Sequence, residues 1–386
     1  EWKARMNQKP ANDWDPRDPA ILSDQRDAYD AMRERCPVAH SDFLGWSLFH
    51  HDDLVAVLAD PKTYSSASHH RAVPNGMDPP EHTEYRKILE PFFTPDQMRA
   101  FEPACRKVAI DLVRSLLGSD IEFIGTFAHP FTLKVHCAFL GWPLEVWEHL
   151  HGWTHGNQDA GLARDRTTGA ALAREFGDLV EEAIAIRRNA GVDASADLTS
   201  HLMDTEIEGN RLSDDDIVSI LRNWTAGQGT VAAGIAILVQ YLAEHPDLQT
   251  MLRAKPDRLP DAINEILRVD GPLVANRRTT TRAVEIGGRK IEAGEKLTLM
   301  WIAANRDNRV FDDATEVRLD RDQSANYLFG AGIHVCVGAE LARLEMRVAL
   351  EELLARTTVI ELGSSAPSIR AVYPSNGYQS LPVRLR

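Results

Sequence analysis

The sequence predicts a mainly α-helical fold with small peripheral β-sheets. Apolar residues recur at helical spacing over long stretches, such as residues 103–117 and 178–188. Strand-like alternation is confined to a few short segments. The length of 386 residues alone would suggest two or three domains. Because no linker, repeat or low-complexity run divides the chain, we expect one domain over residues 1–386.

Composition and charge limit the classes of protein to which the chain can belong. With 44% hydrophobic and 26% charged residues, the chain has the composition of a soluble globular protein. The net charge of −14 argues against a nucleic-acid partner, since phosphate recognition needs a clustered basic surface. Four cysteines without CxxC spacing favour a reducing compartment over a disulfide framework. Residues 1–19 show no signal-peptide pattern, and the longest apolar stretch, residues 231–239, is half of a membrane span. We therefore predict a cytoplasmic protein without a membrane partner.

Strands are expected in four places. Residues 45–49 and 296–301 show short alternation, and residues 284–291 form a hairpin pattern with Gly287 and Gly288 at the turn. The closing segment, residues 372–386, predicts another short hairpin. All four are short, which is why the sheets are predicted to be small.

One helix is predicted to be unusually long. Ser213 followed by acidic residues is a typical helix start, and His245-Pro246 ends the pattern. The roughly 30 residues between them span about 45 Å. Two glycines in its middle cost on the order of 1 kcal/mol each, so they need a structural reason. Either another helix packs closely there, or this face is the wall of a cavity. That face carries Asn223, Ala226, Gly227, Thr230 and Gly234.

A glycine-rich segment with a cysteine, residues 329–338, precedes the last long helix. The positive end of that helix is expected to lower the pKa of Cys336. Val335 stands where a dinucleotide fingerprint needs glycine, and no second Cys or His pair supplies zinc-ligand spacing. Three alternatives remain: a buried inert cysteine, a nucleophile paired with a histidine, and a thiolate ligand to haem iron. The last explains the glycines, the helix start and the nearby His334 together.

Residues 329–338 resemble the haem-binding signature FxxGxxxCxG of the cytochrome P450 family at every fixed position. The resemblance extends over nearly the whole chain and implies that family's helical fold, with haem b as the cofactor. It implies that Cys336 is the metal ligand on the proximal side. Phe329, Gly330 and Ala226 would lie against the cofactor.

The resemblance also implies a set of propionate-binding residues. Residues 78–86 are similar to the start of a helix in bacterial members whose His and Arg contact a haem propionate. His82 and Arg86 are spaced i,i+4 and so share one helix face, although a solvated basic face has the same spacing. Arg278 and His334 resemble further propionate contacts.

Two Glu-x-x-Arg pairs occur, Glu265 with Arg268 and Glu340 with Arg343. An exposed ion pair at this spacing contributes only about 0.2–0.5 kcal/mol. The first pair lies between the long helix and the Cys336 segment, where the family has its buried structural pair. The resemblance therefore selects Glu265 and Arg268.

The middle of the long helix resembles the family's oxygen-binding sequence (A/G)Gx(D/E)T. Ala226, Gly227 and Thr230 match, but Gly229 occupies the acid position. The resemblance assigns oxygen activation to Thr230, while glycine cannot carry a proton. Gln228 or ordered water in the space beside Gly229 would have to serve as the proton relay.

The activity implied is monooxygenation of a small organic substrate with O2. Electrons would come from NAD(P)H through a ferredoxin or flavin reductase, or through a fused reductase domain, because several segments are similar to the reductase-fused bacterial subgroup. The missing acid at 229 keeps a peroxide-driven peroxygenase open. A non-catalytic haem-thiolate ligand binder or gas sensor is the alternative from another class.

Overall fold

The computed structural model describes residues 12–68, 70–191, 193, 197–364 and 366–386, with the backbone alone at Leu162. The predicted lack of a signal sequence concerns mainly residues 1–11, which lie outside the described residues. The α-helices over these ranges are α1 (Pro19–Ser23), α2 (Gln25–Arg35), α3 (His51–Ala59), α4 (Glu81–Leu89), α5 (Pro95–Leu116), α6 (His129–Leu140), α7 (Trp147–Ala163), α8 (Arg166–Ala190), α9 (Leu198–Asp204), α10 (Asp214–Glu244), α11 (Pro246–Ala254), α12 (Leu259–Val269), α13 (Trp301–Asn305) and α14 (Ala339–Arg356).

The strands are short and lie around the helices. They are β1 (Val38–Ser41), β2 (Gly45–Leu48), β3 (Tyr64–Ser65), β4 (Asp120–Glu122), β5 (Glu206–Ile207), β6 (Asn210–Arg211), β7 (Ala275–Thr280), β8 (Val284–Ile286), β9 (Arg289–Ile291), β10 (Lys296–Met300), β11 (Ile360–Leu362), β12 (Ile369–Arg370), β13 (Tyr378–Ser380) and β14 (Pro382–Leu385). The largest sheet has the order β1-β2-β10-β7-β3, and a second has the order β11-β14-β4. Three strand pairs, β5-β6, β8-β9 and β12-β13, complete the set.

These elements confirm a mainly helical single domain with small sheets. The hairpin β8-β9 turns at Gly287 and Gly288, both with positive φ, as predicted. The prediction of a hairpin over residues 372–386 was wrong. Strand β13 pairs with β12, whereas β14 pairs with β11 and β4. Leu381 alone separates β13 from β14 and is fully buried, so the chain continues from one sheet into the next instead of turning back.

Helix α10 is the centre of the fold. It begins as predicted, with the Ser213 hydroxyl accepting a hydrogen bond from the Asp216 N–H. It packs against α6, α8, α12 and α14, and its apolar residues belong to the main hydrophobic core. Among the described helices it alone has the length and apolar character of a membrane span, yet 50% of its apolar window is buried inside the domain. The core thus places the middle of α10 opposite the segment that leads into α14.

Candidate functional site

The segment around Cys336 is a tight loop that glycines allow. The Cys336 N–H donates to the Phe329 carbonyl at 2.9 Å, and a short 3₁₀ turn, Gly332–His334, lies between them. Gly332 has φ +70°, and a Cβ there would lie 2.7 Å from the carbonyl oxygen of Leu58. A side chain at 332 would therefore displace the loop from α3.

A cavity of about 330 Å³ lies between this loop and α10. Seven of the predicted site residues line it: Gln228, Thr230, Arg278, Phe329, Gly330, His334 and Cys336. Ala226 and Gly229 do not line the cavity, but each neighbours a residue that does, Gly227 and Thr230 respectively. His82 and Arg86, on α4, stand behind the cavity wall and contact His334 and Val335 respectively.

Cys336 differs from the other cysteines. Cys105 and Cys137 are buried, whereas the Cys336 side chain is accessible because it faces the cavity. The expected low pKa is wrong for the protein without a bound metal. Although the side chain is accessible from the cavity, the surrounding protein desolvates the Cys336 thiol and raises its pKa above its usual value, and the Gly338 N–H, Arg86 and Arg343 only partly oppose this. The cost of desolvating a thiolate thus outweighs the attraction of the helix N-terminus.

Basic side chains converge on one edge of the cavity. The rings of His82 and His334 are 4.1 Å apart, and the Nε2 atom of each is buried without a hydrogen-bond partner in the described structure. Burial lowers the pKa of His82, and burial together with His82 and Arg278 lowers that of His334 to about 3. Burial also lowers the pKa of Arg278, which points to a guanidinium short of a counter-ion. Unsatisfied buried donors next to a cavity fit a ligand that carries carboxylates.

Arg86 is held differently from the other basic residues. It forms an ion pair with Glu90 at 2.9 Å and donates to the Val335 carbonyl at 2.6 Å. The guanidinium therefore ties α4 to the Cys336 loop. Arg86 can add positive potential to this edge of the cavity while it positions the loop.

Gln228 lines the cavity and is hydrogen-bonded to a buried acid, Glu345. With its amide oriented to satisfy both groups, its nitrogen donates to the Thr132 carbonyl and to Glu345 Oε2, each at 3.2 Å. Burial raises the pKa of Glu345 well above its usual range, and the hydrogen bond from Gln228 only partly opposes this. Glu345 Oε1 is buried and has no partner among the described residues. Burial therefore favours the protonated form of Glu345, one hydrogen bond from the cavity wall.

The two glycines in the middle of α10 that the sequence left unexplained are Gly227 and Gly229, and they have different neighbours. Gly227 lines the cavity, and a Cβ there would meet no atom within 4 Å. A Cβ at Gly229 would meet Thr154 Cγ2 of α7 at 3.6 Å, an ordinary van der Waals contact. A Cβ at Gly234 would lie 3.3 Å from Met346 Sδ, so this glycine serves close packing of α10 on α14. The cavity-wall interpretation therefore holds for Gly227, whereas close helix packing applies further along the helix, at Gly234.

Sequence reasoning missed Glu345 and His136. His136 lines the cavity from α6; its Nε2 lies 2.9 Å from Thr225 Oγ1, and its Nδ1 is buried without a partner. Burial lowers the pKa of His136 to about 3, so it is neutral. The signal was a single charged or polar residue within an apolar helix face, as Glu345 interrupts the stripe of Leu341, Leu344 and Val348.

Glu265 and Arg268 form a fully buried pair at 2.8 Å. Arg268 also donates to the carbonyls of Asn305 and Ala314, and Glu265 accepts from Arg321 and Gln323. The pair thus fastens α12 to the chain that leads into the Cys336 loop.

Comparison with known proteins agrees with this geometry. The sequence model of the family described as Cytochrome P450 matches residues 165–371. The chain is 33% identical to erythromycin C-12 hydroxylase of Saccharopolyspora erythraea, over 84% of this chain and 85% of that protein. It is 29% identical to linalool 8-monooxygenase of Pseudomonas putida, over 96% and 98% of the two chains.

A solved structure shares the fold. A mutant of P450 EryK in complex with erythromycin B superposes with a TM-score of 0.86 at 29% identity, covering 94% of this chain and 96% of that one. Proteins of this family carry protoporphyrin IX haem iron, and the thiol facing the cavity and the unsatisfied donors at its edge fit that group. The chain belongs to the cytochrome P450 family of monooxygenases.

Proposed function

We propose that this enzyme inserts one oxygen atom of O2 into a small, largely apolar organic substrate. Electrons would come from NAD(P)H through a ferredoxin or flavin reductase, either separate or as a fused domain. The observation that carries the proposal is that the Cys336 loop lines the same cavity as Gly227, Gln228 and Thr230 of α10. Relatives named for erythromycin C-12 hydroxylation and linalool 8-monooxygenation support this reaction class.

Haem b, when bound, supplies the activation of O2 and the oxygen transfer. The haem iron would bind the sulfur of Cys336, and the faces of the haem would lie against Phe329, Gly330 and Ala226. Cys336 would hold the iron through its thiolate, the form in which a cysteine binds a metal.

The haem propionates are assigned to His82, His334 and Arg278. Neutral imidazoles can each donate one N–H to a carboxylate, and Arg278 supplies the positive charge that balances it. Arg86 supports them by holding the loop to α4.

The rest of the cavity suits an uncharged substrate. Among the described residues that line it, none is acidic, and Arg278 is the one with a permanent charge. Apolar lining comes from Leu58, Pro74, Leu273 and Val231, with Asn75 as a polar group. A cationic substrate would have no counter-ion there, which lowers its affinity.

The proton donor must be another residue, because Gly229 occupies the position where the family usually has an acid. We assign the role to Thr230 at the cavity wall and to the protonated Glu345 behind Gln228. The Gln228 amide fixes Glu345 Oε2, which leaves the protonated Oε1 free to reach an ordered water. A carboxyl group with a raised pKa can then supply a proton at neutral pH, as a general acid does.

The test is the yield of product per NAD(P)H consumed, measured with a surrogate ferredoxin and reductase. Thr230→Ala and Glu345→Gln should each lower the yield and raise peroxide release, by about tenfold or more if either transfers a proton in the rate-limiting step. Gly229→Asp should raise the yield, because its Cβ has room beside Thr154. Arg356→Gln, a substitution on α14 outside the cavity, is the matched control.

Substrate binding must be followed in the same variants by the spin-state shift of the haem spectrum. If binding is intact and the three substitutions leave the yield unchanged, proton delivery does not use these residues. If all proteins instead turn over faster with hydrogen peroxide than with the reductase, the peroxygenase interpretation replaces the reductase-driven one.

A further inference from the structure

Three histidines meet at the junction of α6 and α7, outside the haem cavity. His129 is the first residue of α6, and His151 and His155 are spaced i,i+4 on α7. Their ring centroids are 4.5–5.0 Å apart, and one nitrogen from each ring lies within 4.8 Å of the others. We propose that these three side chains form a binding site for one divalent transition-metal ion such as Zn²⁺, independent of the haem site.

The distances fit such an ion. Nitrogens at 2.0–2.1 Å from a tetrahedral zinc stand about 3.3 Å apart. His151 Nε2 and His155 Nε2 are already 3.0 Å apart. Side-chain rotations that move the ring nitrogens by about 1 Å would bring all three to the zinc-binding distance. The spacing i,i+4 puts both α7 ligands on one helix face toward His129.

The protonation states also fit. Burial, with His155 and His151 adding to it, lowers the pKa of His129 to about 3. Burial and His155 lower that of His151. Burial thus favours the neutral, metal-binding form of these two rings. Imidazole donors favour zinc, copper and nickel over magnesium or calcium.

The site leaves a fourth position for water, because His129 and His151 are half-buried and His155 is exposed. The ion would join the start of α6 to the middle of α7. Thr154, next to His155, faces Gly229 of α10, so a bound ion would restrain the helix that covers this part of α10.

The experiment uses the haem-loaded full chain, without a polyhistidine tag, after treatment with a chelator. Calorimetric titration with Zn²⁺ should show one saturable site per chain, and zinc-edge X-ray absorption should show three imidazole nitrogens. His151→Ala and His155→Ala should each abolish that site and the rise in melting temperature that Zn²⁺ produces in the parent. His149→Ala should keep both, because His149 lies on the same helix but pairs with Glu175 at 3.2 Å.

Absence of saturable binding in the parent would overturn the proposal. So would unchanged binding in His151→Ala and His155→Ala, since the ion would then use other histidines. Haem spectra of each variant report folding, and the exposed His155 offers a second, conservative substitution, His155→Gln, should the alanine variants be poorly folded.

Discussion

The two Glu-x-x-Arg pairs have the same spacing and nearly the same length but different surroundings. Glu265 and Arg268 are 2.8 Å apart and 0% exposed, whereas Glu340 and Arg343 are 2.7 Å apart and 44% exposed. The buried pair is enclosed by further donors and acceptors, while the exposed pair lies on the surface of α14. Contact distance therefore says little about the contribution of an ion pair, and the completeness of the hydrogen bonding around it says more.

The largest effect is expected from Glu265→Ala. The substitution leaves Arg268 and Arg321 buried without their carboxylate, which costs about 3–5 kcal/mol of the free energy of unfolding. Since the pair holds the chain before the Cys336 loop, haem incorporation should fall sharply. Urea unfolding and the ratio of haem to protein absorbance measure the two effects. A mild effect of Glu265→Ala together with a severe one of Glu340→Ala would mean that burial does not govern these pairs.

The sequence predicts only part of the difference between the buried and the exposed pair. Helical periodicity, the Ser213 cap and the Cys336 loop are local patterns, so α10, α14 and the loop were predictable. That Glu265 is buried could be inferred only from the family resemblance, because spacing is the same in both pairs. The raised pKa of Cys336, the Gln228–Glu345 contact and the histidine cluster depend on residues distant in sequence. Local patterns do not encode such contacts.

Glu345 is a second buried carboxyl group, and it can be compared with Glu265. Burial favours a raised pKa at both Glu265 and Glu345, but hydrogen bonds from Arg268, Gln323 and Arg321 hold the pKa of Glu265 below its usual value. Glu345 has no such cation, so burial raises its pKa well above 4.5. Between pH 4.5 and that raised pKa, the folded state holds a proton that the unfolded state has released. This carboxyl therefore makes the protein less stable as the pH rises through that window.

Glu345→Gln should remove this dependence. Relative to the parent, the variant should gain about 1.4 kcal/mol of unfolding free energy for each pH unit above 4.5, until the pKa of Glu345 is reached. Urea unfolding at pH 5.5, 6.5 and 7.5 measures the change, with Glu352→Gln, on the same helix and paired with Arg106, as the control. A constant difference between parent and variant would show that Glu345 is ionised and the interpretation of its surroundings is wrong.

The smallest effect is expected at the exposed pair. Glu340→Gln removes the ionic part of the contact with Arg343, for which exposed i,i+3 pairs contribute about 0.2–0.5 kcal/mol. Arg343 has a second contact, since its guanidinium lies 4.5 Å from the ring centroid of Phe329 in the Cys336 loop. That contact is a cation–π interaction, which adds about 0.5–1 kcal/mol at an exposed site. Arg343→Ala should therefore cost more than Glu340→Gln, and adding 0.5 M salt should reduce the loss at Glu340 more than the loss at Arg343. Equal losses for the two substitutions would instead place the whole contribution in the ion pair, and the double variant would then be no less stable than either single one.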